Sequence, residues 1–263
     1  MPVIDTHRNG APCWFELATS DHDAADAYYR QVFGWEVRSS PLPFGGRYTI
    51  FQEQGRDVGS AYKLMPDMVA QGIPPHWMVY FSADDVDASA KRVAELGGRI
   101  LHEPFDVMTH GRMATCADPE GTAFSLWEAR SHIGAGIFGE VNTVCRVELA
   151  TRDLDRAEQF YPQLLGWEIR RIPHAVTAYT EISVPGEKSA GGMILMNGAW
   201  QGIPAHWGVY FRVADVSATA ERIRQAGGSV EHGPFEVPNL GVIAVAADPQ
   251  GAISQVIQLT ALA

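Results

Sequence analysis

Two glutamates, Glu16 and Glu148, stand at the same place in two copies of the motif Glu-Leu-Ala-Thr. Two histidines, His76 and His206, stand in two copies of Gly-Ile-Pro-x-His-Trp. A carboxylate on an apolar strand has its pKa raised by burial, which is how a general acid or base working near neutral pH is made. A histidine at a strand entrance can transfer protons or cap a ligand. Strand side chains alternate between faces, so Trp14 shares a face with Glu16, and Arg146 with Glu148. The same residues also have a structural reading. Glu148 would pair with Arg146, and Glu16 with a backbone group or a distant arginine. Each histidine would bond a nearby backbone carbonyl beside Trp77 or Trp207.

The elements that position these groups are written twice. Residues 13–38 match residues 145–170 at 14 of 26 positions, and residues 72–98 match residues 202–228 at 15 of 27. A third pair is Ala-Asp-Pro-Glu-Gly at 117–121 and Ala-Asp-Pro-Gln-Gly at 247–251. Three blocks in order at offsets of 132 and 130 make this a duplicated domain, with a period too long for a solenoid. The expected boundaries are 1–130 for the first domain, 131–144 for a glycine-containing linker and 145–263 for the second.

Within the first half, Trp14–Ala18 reads as a short strand, followed by an N-cap at Thr19-Ser-Asp21 and a helix to Phe33. Ala24/Ala25, Tyr28/Tyr29 and Val32 mark the inner face of that helix, and Gly34 ends it in the left-handed conformation. Strands broken by turns at 41–46 and Gly55 fill 35–65. His76–Ser82 is a strand, and Asp85–Leu96 a helix with Val86, Ala90, Val93 and Ala94 inward. Further strands fill 99–128, with Asp118 assigned to a turn, as is Asp248 in the second copy. The second half repeats this order, except that Pro162 predicts a helix kinked or ended near Tyr161. Each half therefore reads β-α-β-β-β twice, an α+β pattern whose two units must curl against each other to bury their sheet faces.

Composition narrows the function classes. Apolar residues make up 46% of 263 residues, ample for cores, and the net charge of −11 argues against nucleic acid and anionic membrane surfaces as partners. The first residues hold no apolar signal segment, and no apolar run approaches the length of a membrane span. Cys13, Cys116 and Cys145 lack metal-type spacing and read as reduced apolar fillers in a cytoplasmic protein. No phosphate loop, dinucleotide fingerprint, hydrolase elbow or zinc signature is present.

The Thr-Ser-Asp and Thr-Arg-Asp helix starts, Tyr-Tyr…Phe-Gly-Trp, the Asp-Asp-Val helix ending Gly-Gly, and Asp-Pro-Glu-Gly resemble the vicinal oxygen chelate superfamily. That superfamily includes glyoxalase I, extradiol dioxygenases and the bleomycin and fosfomycin resistance proteins. Gly10-Ala-Pro-Cys-Trp, Gly111-Arg-Met and Leu126-Trp-Glu-Ala-Arg-Ser-His-Ile-Gly134 are similar to its two-domain glyoxalase-like group, which includes the mycobacterial 27 kDa antigen. The resemblance implies two tandem glyoxalase-like domains, each of paired βαβββ modules forming a cupped mixed sheet. It also implies ligand slots for a divalent ion. These slots fall on Trp14, Met78 and Ser125 in the first half, and on Arg146, Gly208 and Gln255 in the second. A hard cation needs several oxygen or nitrogen donors, so the resemblance carries the fold but not the usual metal.

On the implied cup face lie Trp14, Glu16, His76, Met78, Tyr80 and Trp127 in the first half, and Arg146, Glu148, His206, Gly208, Tyr210 and Gln255 in the second. Arg112 would pair with Glu16 or an anionic ligand, or sit as an ordinary surface arginine. Met78 and Trp127 crowd the first cup; Gly208 and Ile257 leave the second more open. The expected function is a monomeric or homodimeric binder of an apolar or aromatic metabolite or drug, without cofactor or metal. The alternative is a lyase or isomerase with Glu148 or Glu16 as base and His206 or Arg146 stabilising negative charge. A weaker third idea is a divalent metal at a non-standard site of Glu148, His206 and Gln255.

Overall fold

The computed structural model describes residues 4–42, 45–173, 177–187 and 189–260, with the backbone alone at 189 and 190. Each half builds one eight-stranded mixed sheet. The first uses β1 (Pro12–Thr19), α1 (His22–Phe33), β2 (Glu36–Pro41), β3 (Arg47–Glu53), β4 (Arg56–Lys63), a short α2 (Pro66–Ala70), β5 (His76–Ser82), α3 (Val86–Glu95), β6 (Arg99–Val107), β7 (Gly111–Ala117) and β8 (Ala123–Ala129). The second uses β9 (Val144–Thr151), α4 (Leu154–Leu165), β10 (Glu168–Arg171), β11 (Tyr179–Ser183), β12 (Ser189–Leu195), a 3-10 turn (Gly198–Trp200), β13 (His206–Arg212), α5 (Val216–Gln225), β14 (Ser229–Val237), β15 (Gly241–Ala247) and β16 (Ile253–Leu259). The strand order β2-β3-β4-β1-β5-β8-β7-β6 recurs as β10-β11-β12-β9-β13-β16-β15-β14.

The two βαβββ units of each half join through one antiparallel pair. Trp14 faces Tyr80, Glu16 faces Met78 and Ala18 faces His76. In the copy, Arg146 faces Tyr210, Glu148 faces Gly208 and Ala150 faces His206. The strand alternation sends Phe15, Leu17, Trp77, Val79 and Phe81 to the opposite face, where all are buried.

That opposite face is the core shared by the two halves. Trp77 and Trp35 set their rings 5.4 Å from Phe211, and Phe81 sets its ring 5.2 Å from Trp207 and 5.3 Å from Trp167. Two matching hydrogen-bond relays cross the same boundary. Trp77 Nε1 donates to Tyr29 Oη at 3.1 Å, and Tyr29 Oη donates to Asp248 Oδ2 of the other half at 3.2 Å. Trp207 Nε1 donates to Tyr161 Oη at 3.0 Å, and Tyr161 Oη donates to Asp118 Oδ2 at 3.0 Å. Each aspartate still holds its turn: Asp118 Oδ1 accepts from the backbone N–H groups of Glu120, Gly121 and Thr122, each at 2.9 Å. Burial raises the pKa of both aspartates, and the hydrogen bonds they accept act against it.

The helices start and stop as their end residues dictate. Asp21 and Asp153 accept from Ala24 and Arg156 N–H, and Gly34 and Gly166 take φ of 80° and 72° at the C-caps. Of the two outcomes expected at Pro162, a kink or an end, the end does not occur. α4 runs on to Leu165, because Phe160, Tyr161 and Leu165 bury the last turn in the shared core, and the Pro162 carbonyl receives the capping N–H of Gly166. Ala94 is exposed rather than inward; the buried face of α3 is Val86, Ala90 and Val93. The expected turn at 41–46 includes Pro43 and Phe44, which lie outside the described residues.

The connection between the sheets is pinned along both of them. Ala135 N–H donates to the Cys13 carbonyl at 2.7 Å, and Gly136 N–H to the Asp57 carbonyl at 2.8 Å. Arg212 Nη1 donates to the Gly139 carbonyl at 2.7 Å. Among the described residues no helix is long and apolar enough to cross a membrane.

Candidate functional site

The faces turned away from the shared core are concave. They form open depressions that together enclose about 2950 Å³. Trp14, Glu16, His76, Met78, Tyr80 and Trp127 line the first; Arg146, Glu148, His206, Gly208, Tyr210 and Gln255 line the second.

On the floor of the first cup, Glu16 is held among the described residues by hydroxyls. Tyr48 Oη donates to its Oε1 at 2.6 Å, Tyr80 Oη to its Oε2 at 2.6 Å, and Ser60 Oγ to Oε1 at 3.3 Å. Trp14 Nε1 donates to Ser60 Oγ at 3.1 Å and fixes that serine. Burial raises the Glu16 pKa, and the hydroxyls and the nearby His76 pull it back only in part. The expected backbone group or arginine partner for Glu16 is therefore replaced by a ring of three hydroxyls. Trp127 Nε1 donates to the His132 carbonyl at 3.0 Å, which brings the connecting segment into the cup wall. The His132 ring packs edge-on against Trp14 at 4.6 Å, and burial lowers its pKa.

The second cup places a cation at the matching point. Arg146 Nη2 lies 3.7 Å from Glu148 Oε2 and donates to the Tyr179 hydroxyl. Tyr210 Oη donates to Glu148 Oε1 at 2.5 Å, and the guanidinium sits 5.4 Å from the centre of the Tyr210 ring. The Arg146–Glu148 pairing read from the sequence is thus present. Gly192 replaces Ser60 because a Cβ there would meet Tyr179 Oη at 2.0 Å. Gly208 does not open the cup in the way its size suggests. The Gln255 side chain lies over it, so that a Cβ at 208 would meet Gln255 Oε1 at 2.9 Å.

Two sequence expectations take their structural reading here. Nδ1 of His76 bonds the Pro74 carbonyl at 2.8 Å, and Nδ1 of His206 the Pro204 carbonyl at 2.9 Å, so both rings sit at the rims on backbone anchors. Arg112 reaches neither Glu16 nor the cup. Two surface carboxylates capture it, Asp87 at 2.6 and 2.8 Å and Asp106 at 3.0 Å. Tyr48, Ser60, His132 and Tyr179 escaped the sequence reading. The alternation on β3, β4 and β11 was a usable signal for three of them; His132 lay in a stretch assigned to a linker.

The residues present do not fit a divalent ion of the kind the fold family implies. Among the described residues no three His, Cys, Asp or Glu side chains gather in a metal-binding group. Each floor holds one carboxylate, and in the second cup a guanidinium stands beside it. The grouping of Glu148, His206 and Gln255 does not converge either. Gln255 pairs with Tyr210, four residues along β13 from His206, a separation of about 13 Å at the rise of a strand.

A sequence profile of the Glyoxalase/Bleomycin resistance protein/Dioxygenase superfamily matches residues 13–126 and 143–255. CFP32 of Mycobacterium tuberculosis is 36% identical over 258 residues, 98% of each chain. The anthracycline biosynthesis protein DnrV of Streptomyces peucetius is 35% identical over 265 residues, covering 95% of this chain and 94% of its own. Among solved structures, a Mn(II)-bound glyoxalase from Novosphingobium aromaticivorans superposes with a TM-score of 0.68 at 15% identity, over 95% of this chain and 82% of that one. The 2,3-dioxygenase LapB from Pseudomonas sp. KL28 superposes with a TM-score of 0.65 at 15% identity, over 96% and 93%. At that identity the structures speak for the fold. With the profile covering both halves and full-length relatives above 30% identity, this chain belongs to the Glyoxalase/Bleomycin resistance protein/Dioxygenase superfamily.

Proposed function

We propose that this protein holds an apolar or aromatic metabolite in one of its cups without the divalent ion of its metalloenzyme relatives. The observation that carries the reading is the make-up of the cup floors. Each has a single carboxylate engaged by tyrosine hydroxyls, inside a wall of aromatic and aliphatic side chains. An apolar concavity with a few convergent polar groups suits an organic ligand. The likeness to DnrV, a protein named for anthracycline biosynthesis, points toward polycyclic aromatic ligands. Trp14 and Trp127 line the first cup, so occupancy there should quench tryptophan fluorescence. The test is elemental analysis of purified protein, followed by fluorescence titration with an anthracycline in EDTA buffer. Saturable quenching that is reduced in Trp14→Phe supports the reading. Stoichiometric, tightly held metal, or no saturable binding, sinks it.

A second reading, a lyase or isomerase using a buried glutamate as base, is favoured by one observation. Glu16 touches no cation and burial raises its pKa toward the range where a base works. Glu148 has a guanidinium partner and is the weaker candidate for that role. Turnover of any substrate that survives unchanged in Glu16→Gln removes this assignment.

A further inference from the structure

The two cup floors differ in one respect that the duplication makes readable. In the first, the polar atoms at the ligand slots are satisfied: Trp14 Nε1 donates to Ser60 at 3.1 Å, and Ser125 Oγ lies 3.3 Å from Thr115 Oγ1. In the second, they are not. Arg146 Nε and Gln255 Oε1 are both buried without a hydrogen-bond partner among the described residues. The two residues flank Tyr210, which faces Arg146 on β9 and Gln255 on β16.

Arg146 is also poorly matched to its protein partner. A guanidinium has five N–H donors in a fixed fork and pairs best with a carboxylate through two short parallel bonds. Here the closest approach to Glu148 is 3.7 Å, beyond hydrogen-bond reach, and the other Glu148 oxygen is committed to Tyr210. The guanidinium is fixed by the Tyr179 hydroxyl and the Tyr210 ring, with donor capacity left over. A buried arginine held rigid yet incompletely paired is built to receive an anion.

We infer that the second cup takes a ligand bearing a carboxylate or enolate oxygen, anchored by the Arg146 guanidinium. The inference rests on the cup being a ligand site and adds the chemical class of its ligand. Gln255, on the far side of Tyr210, can donate its amide N–H to the same ligand; its Oε1 only accepts and takes no part in holding the anion. Glu148 acts as the internal counter-ion that the ligand oxygen displaces in part.

The test uses 2-naphthoate and its neutral counterpart 2-naphthamide, titrated into the full-length protein by calorimetry with EDTA present, so that no metal bridges the carboxylate. Wild type should bind the naphthoate at least about 10-fold more tightly than the amide. Glu148→Gln frees the guanidinium and should raise the ratio of naphthoate to amide affinity several-fold. Arg146→Met with Glu148→Gln removes both charges without leaving a lone buried carboxylate, and should abolish the preference. Arg146→Lys should retain part of it. A circular-dichroism melt checks that each variant folds. Equal affinity of wild type for the two probes overturns the inference while the cup remains a binding site. A naphthoate preference that survives in the double variant, or appears only on adding a divalent metal, also overturns it. Binding of neither probe overturns the inference and the ligand-site reading together.

Discussion

Removing the hydroxyl of Tyr29 should cost far more stability than its single oxygen suggests. The Tyr29 hydroxyl accepts from Trp77 and donates to Asp248 across the boundary between the halves, and all three residues are at most 5% exposed. Tyr29→Phe keeps the ring and leaves two buried groups without partners, the Trp77 Nε1–H and one Asp248 oxygen. At roughly 1–3 kcal/mol for each of the two unsatisfied buried groups, the loss is about 2–6 kcal/mol. Tyr161→Phe should lose a similar amount by the matching relay. At about 2–4 °C per kcal/mol for chains of this size, each variant should melt roughly 4–24 °C lower. Tyr28→Phe is the control: it sits on the same helix, equally buried, and its hydroxyl makes no hydrogen bond among the described residues. It should change stability by about 0.5 kcal/mol or less, since no partner is orphaned. Urea unfolding followed by far-ultraviolet circular dichroism measures all three. Equal losses for Tyr28→Phe and Tyr29→Phe, or a Tyr29→Phe loss below about 1 kcal/mol, would refute the relay as a stabilising device.

Other expected outcomes come from the same geometry. Burial raises the pKa of Asp118 and Asp248, so the folded state takes up protons at higher pH than the unfolded chain. The stability from that uptake is fully present below the ordinary aspartate range and is lost as pH rises through the raised values. The stability of wild type relative to Asp118→Asn/Asp248→Asn should therefore fall as pH rises from 4 to 7 in urea titrations; a difference that grows with pH contradicts the assigned shifts. Gly208→Met alone must displace the Gln255 amide, and should cost about 1–3 kcal/mol as an overpacked site. Gly208→Met with Gln255→Ser installs the residues of the first cup and should recover most of that loss. Failure of the double variant to recover would show that Gln255 does not occupy the space over Gly208. Gly192→Ala drives a Cβ into the Tyr179 hydroxyl and the Thr180 carbonyl, and should loosen Arg146, lowering both stability and any 2-naphthoate affinity.

The fold was legible because it is repeated. Matching blocks located the duplication, strand alternation assigned Trp14, Glu16, Met78 and Tyr80 to one face, and Asp21 and Gly34 marked helix ends that the structure keeps. Pro162 misled because the cost of a helical proline is local, while the burial of Phe160, Tyr161 and Leu165 that overrides it is tertiary. The site was legible as a list and not as a network. That Glu16 is held by Tyr48, Ser60 and Tyr80 depends on strands up to 64 residues away in sequence. That Arg112 is captured by Asp87 and Asp106 depends on side-chain reach from β7 to the helix α3 and to the edge strand β6. The size of Gly208 promised space; only the neighbouring strand shows that Gln255 takes it. The aspartates of the Asp-Pro turns read as turn formers, which they are, and their second oxygen gave no sign in sequence of binding the other half.

Glu16/Glu148, His76/His206 and Tyr80/Tyr210 on the cup faces are unchanged between the halves, as are the residues of the relays that join them, while several other floor positions differ. Tyr29 and Tyr161, Trp35 and Trp167, Trp77 and Trp207, and Asp118 and Asp248 are the same in both copies, and all lie in the shared core. Each relay there joins a residue of one half to one of the other, so a change in either copy orphans a buried partner across the boundary. The cup floors carry no such reciprocal bond. Trp14 stands against Arg146, Ser60 against Gly192, Met78 against Gly208, Ser125 against Gln255 and Trp127 against Ile257. Among the described residues the floors face away from the core, and the differences listed fall on them and spare the relays that join the halves. Two cups that needed only to be filled would be free to keep the same filling. A floor of hydroxyl-ringed carboxylate and tryptophan in one, and of carboxylate and incompletely paired arginine in the other, gives one scaffold two cup floors of different charge.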